Sequence, residues 1–228
     1  MSRLLLALTL FASAPAFAVG SDSLSLDSLF QSAKTLSVTD IPLPFSCYVD
    51  GVVVLEVHTT AVGEIPLVEV RREFPCLTPL AVKAVEEWRF SPATYDGEAV
   101  ASRVPVVVTF RPPSAITEPV SLSQPQPPTE AALQEAFQPA EVLHAVYPDY
   151  PVNTVVWGTV VLEVTLGKKG ETIGVRVLRD ITPLTAEAQA VLGKWRFHPA
   201  TFNGAPVDSK IVMAFVFSPI YSAPRHGR

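Results

Sequence analysis

Trp88-Arg89-Phe90-Ser91-Pro92-Ala93-Thr94 recurs as Trp195-Arg196-Phe197-His198-Pro199-Ala200-Thr201, and the offset of 107 residues between the two organises the chain. The match runs without a gap: 25 of the 62 positions from Val49 to Phe110 are identical to their counterparts from Val156 to Phe217, so the sequence contains one unit twice. Upstream, Leu26, Phe30, Gln31, Ala33 and Leu36 meet Leu133, Phe137, Gln138, Ala140 and Leu143. The spacing of the apolar members predicts a leading amphipathic helix in each unit, interrupted by Pro139 in the second. Between the units, Arg111 to Thr129 holds Pro112, Pro113, Pro119, Pro125, Pro127 and Pro128 among Ser and Gln, which reads as a stiff, extended linker carrying two separate domains.

Within a unit the periodicity changes three times. Val160, Leu162, Val164 and Leu166 alternate with Thr159, Val161, Glu163 and Thr165, as Val53, Leu55 and Val57 do in the first copy; this predicts a strand with one buried and one solvated face. Lys168-Lys169-Gly170-Glu171, with Gly63 as the matching glycine, turns the chain back into Ile173, Val175 and Val177. Thr78-Pro79 reads as a helix start, with the hydroxyl capping free amides and the proline in the first turn. Ala81, Ala84, Val85 and Trp88, repeated as Ala188, Val191, Leu192 and Trp195, give that helix its apolar face. Asp96-Gly97 and Asn203-Gly204 supply the positive φ angles of tight hairpins, and a long alternating strand ends each unit. The fold class is therefore α+β: two tandem modules, each a small antiparallel sheet with one packed helix and a core tryptophan.

The 228 residues are 48% hydrophobic and 17% charged, with a mean hydropathy of +0.32, which excludes a largely disordered chain. A net charge of −5 gives nucleic acid no electrostatic footprint. Arg3, the apolar run from Leu4 to Ala12 and then Ala16-Phe17-Ala18 read as a secretory signal peptide cleaved after about Ala18. The run is short for a membrane span, so retention as an inner-membrane anchor is the alternative. Export places the mature chain in an oxidising compartment, where a disulfide persists. Cys47 and Cys76, both absent from the second copy, suit a bridge between them; two buried free thiols are the other reading. On chain entropy, closing a loop of about 29 residues stabilises by ~3.5 kcal/mol.

Chemistry is sparse. His58, His144, His198 and His226 show no metal-ligand spacing, and no nucleophile elbow or phosphate-binding loop is present, so no enzyme, cofactor or metal is expected. Glu56 and Glu163 recur at equivalent positions and read as solvated strand residues. What the units offer is the margin of the last strand, whose unpaired amides can receive a partner strand. In the first copy Pro105 removes one donor there, while the second has Val212.

Tyr147-Pro148, Gly158-Thr-Val-Val-Leu-Glu-Val, Trp195-Arg196-Phe197, Pro199-Ala200, Asn203-Gly204 and Phe217 resemble the C-terminal domain of TonB, the periplasmic part of the energy transducer that reaches outer-membrane receptors. The resemblance implies a domain whose last strand takes up a short receptor segment. It assigns partner contact to Tyr147 and Pro148 and to Ser209, Lys210, Ile211, Met213 and Phe215. The expected layout is a signal peptide over 1–18, a leading helical segment over 19–45, a first domain over 46–111, a proline-rich linker and short helix over 112–139, a second domain over 140–218 and a tail over 219–228. The expected function is non-enzymatic binding of extended segments of outer-membrane receptors or other envelope proteins, linked to TonB-dependent transport. No small-molecule substrate is expected. The alternatives are a scaffold or homodimer pairing through edge strands, and an anchored energy transducer.

Overall fold

The computed structural model describes residues 29–42, 50–111, 120–122, 136–151 and 154–218. Six strands form one sheet. The first copy contributes β1 (Gly51–Thr59), β2 (Leu67–Arg72) and β3 (Ser102–Arg111), and the second β4 (Gly158–Leu166), β5 (Thr172–Arg179) and β6 (Ser209–Phe217). Their order is β5-β4-β6-β3-β1-β2. Within each copy neighbours are antiparallel; at the centre β6 and β3 run parallel, pairing Val212 with Val106 through Phe217 with Arg111. The two copies are thus not independent domains on a spacer. Each last strand, β3 and β6, is the other's neighbour, and Pro105 sits just before the first pair of that parallel ladder.

The register fixes where the helices go. Paired residues share a face, so Met213 shares one with Val107, whereas its counterpart in the repeat, Val106, shares the opposite face with Val212. The copies are therefore related by a half-turn about an axis along the strands. Helix α1 (Thr78–Glu86) lies on one face, and helix α2 (Leu184–Ala190) with the 3-10 turn Leu192–Lys194 lies on the other. The anticipated apolar faces are buried, with Ala81, Val85, Trp88, Ala188 and Trp195 at 3% exposure or less. Gly193 stands where the first copy has Glu86, and α2 ends early there. The expected hydroxyl cap is absent: Thr78 Oγ1 accepts from Phe74 N (2.8 Å), and Thr185 Oγ1 accepts from Ile181 N (2.9 Å), tying the preceding loop to each helix start.

Turn chemistry follows the sequence. Asp96-Gly97 and Asn203-Gly204 all have positive φ. Gly63 (φ 83°) needs its missing side chain as well as its backbone freedom, because a Cβ there would sit 2.6 Å from the Phe90 carbonyl oxygen. The leading segments differ from expectation. Among the described residues Phe30–Gln31 and Lys34–Ser37 are strands, as are Phe137–Gln138 and Glu141–Ala145. Helical spacing loses here because the extended chain makes long-range bonds that a helix would keep to itself. Val120–Ser121, within the linker, pairs with His144 and Ala145. No described helix is long and apolar enough to cross a membrane, and the signal segment lies outside the described residues. Cys76 is disulfide-bonded; Cys47, the other cysteine of the sequence, lies outside the described residues.

Because the strands at the seam are fully interior, Val107→Asp, at a position with no exposure, is expected to cost more than about 3 kcal/mol by burying an unpaired charge. The urea midpoint measures it. Trp88 and Trp195, one in each copy, are expected to report the same midpoint in single-tryptophan variants, since neither half of the sheet persists alone.

Candidate functional site

The expected partner-binding strand is, with β3 and β4, among the most enclosed of the described elements. Ile211, Met213 and Phe215 are 0–1% exposed, Ser209 is buried, and β6 is paired with β4 over its whole length and with β3 from Val212 to Phe217. The free margin anticipated at Ser209–Phe217 is closed by the first copy's own last strand. Tyr147 and Pro148 are buried too. Loss of solvent, reinforced by the Asp50 carboxylate, pushes the Tyr147 phenol up to about 12 against the pull of Arg72 and Arg111. Lys210 is half-buried, with Nζ 3.2 Å from Glu163 Oε1.

Neither glutamate is solvated. Glu163, 2% exposed, receives Arg176 Nε (3.2 Å) and Nη2 (2.9 Å), Lys210 Nζ and the backbone N–H of Thr35 (2.8 Å), and Arg176 Nη2 also donates to Thr35 O (2.7 Å). Thr35 belongs to the first copy and the other groups to the second. The neighbouring contacts follow suit: Thr159 Oγ1 accepts from Ile41 N (3.0 Å), and Asp40 Oδ1 accepts from Thr159 N (3.1 Å). Glu56 mirrors this. Arg103, at the position of Lys210, donates from Nη1 to Glu56 (3.0 Å) and from Nη2 to Phe137 O (2.7 Å) and Gln138 Oε1 (3.2 Å) of the second copy. Each leading segment thus covers the other copy's half of the sheet, the first held by Glu163 and Arg176 and the second by Arg103, the partner of Glu56. This is why both faces of β4 are buried where the alternation had predicted one solvated face.

Copy one modifies the cluster. Glu69 stands where copy two has Arg176, and His58 where it has Thr165. Ligand atoms of Glu56, His58 and Glu69 lie within 4.8 Å of one another, groups of a kind that can hold a metal ion. Arg103 already bonds Glu56, and Arg71 Nη1 lies 2.9 Å from Glu69, so the arrangement works as an ion-pair network. Histidine spacing along the chain missed this trio because it is assembled across the β1–β2 pairing, Glu56 opposite Glu69.

The open edges are elsewhere. β5 and β2 end the sheet, and they carry most of its exposed apolar side chains: Ile173 (54%), Val175 (41%) and Val177 (40%) on β5, Leu67 and Val70 on β2. The signal for them was available, since the alternation of Ile173, Val175 and Val177 is plain; what was missed is that the last strands cap each other.

Burial works against the charge of Glu163, but the hydrogen bond from Arg176, that from Thr35 N–H and the nearby Lys210 outweigh it and hold the carboxyl below its ordinary value of 4.5. A lowered carboxyl contributes stability above that value and loses it as pH falls through the folded pKa. Glu163→Gln is therefore expected to cost roughly 1.5–3 kcal/mol at pH 7 and to flatten the acid limb of the stability curve below about pH 4.5, read by urea unfolding across pH.

Comparison with known proteins bears on one copy. Residues 144–219, a third of the chain, match the family described as Gram-negative bacterial TonB protein C-terminal. The match takes in the second copy from His144 through β6, and that family is a non-enzymatic, transport-related domain of periplasmic type. No curated protein and no solved structure matches the chain.

Proposed function

We propose that this chain is an exported, non-enzymatic TonB-like protein, two tandem modules fused into one sheet, that captures extended segments of outer-membrane receptors or other envelope proteins in connection with TonB-dependent transport. The carrying observation is the margin of β5. Its eight residues contain no proline, no described strand pairs with its outer side, and Ile173, Val175 and Val177 stand half-exposed along it. An added strand would gain main-chain hydrogen bonds and cover those three side chains, the two ingredients of strand addition. The assignment of contact to Ser209–Phe217 would require β3 and β6 to separate first, which makes β5 the edge that a segment meets without that cost.

A scaffold is the second reading, and one observation favours it: the two copies already pair through equivalent strands, so this type of margin does associate with its like. Periplasmic residence, removal of the N-terminal segment and a Cys47–Cys76 bridge belong to the same proposal.

Pull-down with peptides from the plug regions of outer-membrane receptors distinguishes the two. Val175→Pro removes one backbone donor and stiffens the edge, and it is expected to lower peptide binding at least tenfold with little change in melting temperature. Peptide binding unaffected by Val175→Pro, together with a dimer in light scattering that the same substitution dissolves, would favour the scaffold.

A further inference from the structure

A cavity of about 520 Å³ opens where the two copies meet, and the repeat itself builds it. Phe30 and Tyr95 come from the first copy; their counterparts at the offset of 107, Phe137 and Phe202, come from the second, and all four line the cavity. Their rings stack across the junction: Phe30 lies 4.7 Å from Phe137 and 5.1 Å from Phe202, and Tyr95 lies 4.9 Å from Phe202, centroid to centroid. Short strands hold them in place, with Phe30 paired to Tyr95 and Phe137 to Phe202. Two side chains from the start of β3 add polarity. Arg103 is engaged with Glu56 and the Phe137 carbonyl, whereas the Ser102 hydroxyl, in a residue only 8% exposed, has no hydrogen-bond partner.

A buried hydroxyl without a partner costs on the order of 1–3 kcal/mol, and Ser102, among the residues that line the cavity, carries such an unused donor and acceptor. The volume falls within the range of pockets for small organic molecules, which are likewise mostly apolar with a few fixed polar groups. Apolar cavities take up apolar guests in preference to water, and aromatic walls favour flat ones through offset stacking.

The geometry points to a ligand site at the junction of the two copies, selective for a compact, flat, apolar molecule of one or two rings bearing a single hydrogen-bonding group that meets Ser102. His58, Thr59 and Thr60 also line the cavity, and His58 Nε2 lies 3.4 Å from Glu69 Oε2. Since both copies contribute wall, occupancy would tighten the join between them without involving the β5 edge, so this site stands or falls apart from strand capture.

The test uses the full chain and the neutral two-ring probe 6-propionyl-2-(dimethylamino)naphthalene, which bears one ketone and whose fluorescence rises on entering an apolar site. Expected are saturable binding of one probe per chain and a rise in melting temperature with probe concentration. Ser102→Ala is expected to weaken binding about three- to tenfold. Ala101→Trp, at an exposed position on the cavity wall, is expected to fill the space and abolish binding with the melting temperature of the free protein retained. Ala61→Trp, on the exposed hairpin turn that also lines the cavity, provides the same blockade by an independent route if the first variant folds poorly. Non-saturable fluorescence, or a saturable signal that survives both tryptophan substitutions, would overturn the assignment.

Discussion

The parallel pairing of β3 with β6 is the constraint on which the rest of the structure depends. Two copies of an antiparallel three-stranded unit each end in a long apolar strand, and a small sheet cannot leave such a strand bare without inviting uncontrolled association. Here the strands cap each other within one chain. Because equivalent strands run side by side in the same direction, the copies are related by a half-turn along the strands, and their helices must fall on opposite faces. Each helix then covers only its own half of a face, and the remaining half needs a cover.

The leading segments supply that cover, and the buried glutamates hold it. Thr35 and Ile41 of the first copy reach Glu163 and Thr159 of the second, while Phe137 and Gln138 of the second reach Arg103, and through it Glu56, of the first. A carboxylate in an apolar sheet is costly unless its oxygens are filled; those of Glu163 are filled partly by its own copy and partly by the other, and Glu56 is bonded by Arg103 of its own copy, which in turn bonds the other. The polar contacts therefore specify which surface each segment crosses, and the aromatic stack of Phe30, Tyr95, Phe137 and Phe202 closes the end of the seam. One organisation thus yields three surfaces of different character: a sealed centre, an apolar cavity between the copies, and an open margin at β5.

Much of this was legible in the sequence and some was not, for physical reasons. The repeat, the hairpins at Asp96-Gly97 and Asn203-Gly204, the turn glycines Gly63 and Gly170, and the buried Trp88 and Trp195 are local or nearly local properties, and alternation and turn residues reveal them. The extended conformation of Phe30–Gln31 and Lys34–Ser37 was hidden, because pairing with the distant Arg89–Tyr95 stretch, and the bonds of Thr35 to Glu163 and Arg176, overrode helical spacing. Glu56 and Glu163 read as solvated, since nothing in a strand's alternation says that another segment lies over its polar face. The closed state of Ser209–Phe217 followed from the same gap. A duplicated unit reports what each copy is made of, but the way the copies meet is written in contacts between them, where no single periodicity records it.

Backbone hydrogen exchange along Ser209–Phe217 tests the central claim most directly. If the two copies share one sheet, amides on both sides of the strand from Val212 to Phe217 exchange only with global unfolding, as slowly as those of Gly51–Thr59 and Gly158–Leu166. Fast exchange of every second amide of Val212–Phe217, those facing away from β4, would show that the strand is an open edge and would contradict the shared sheet.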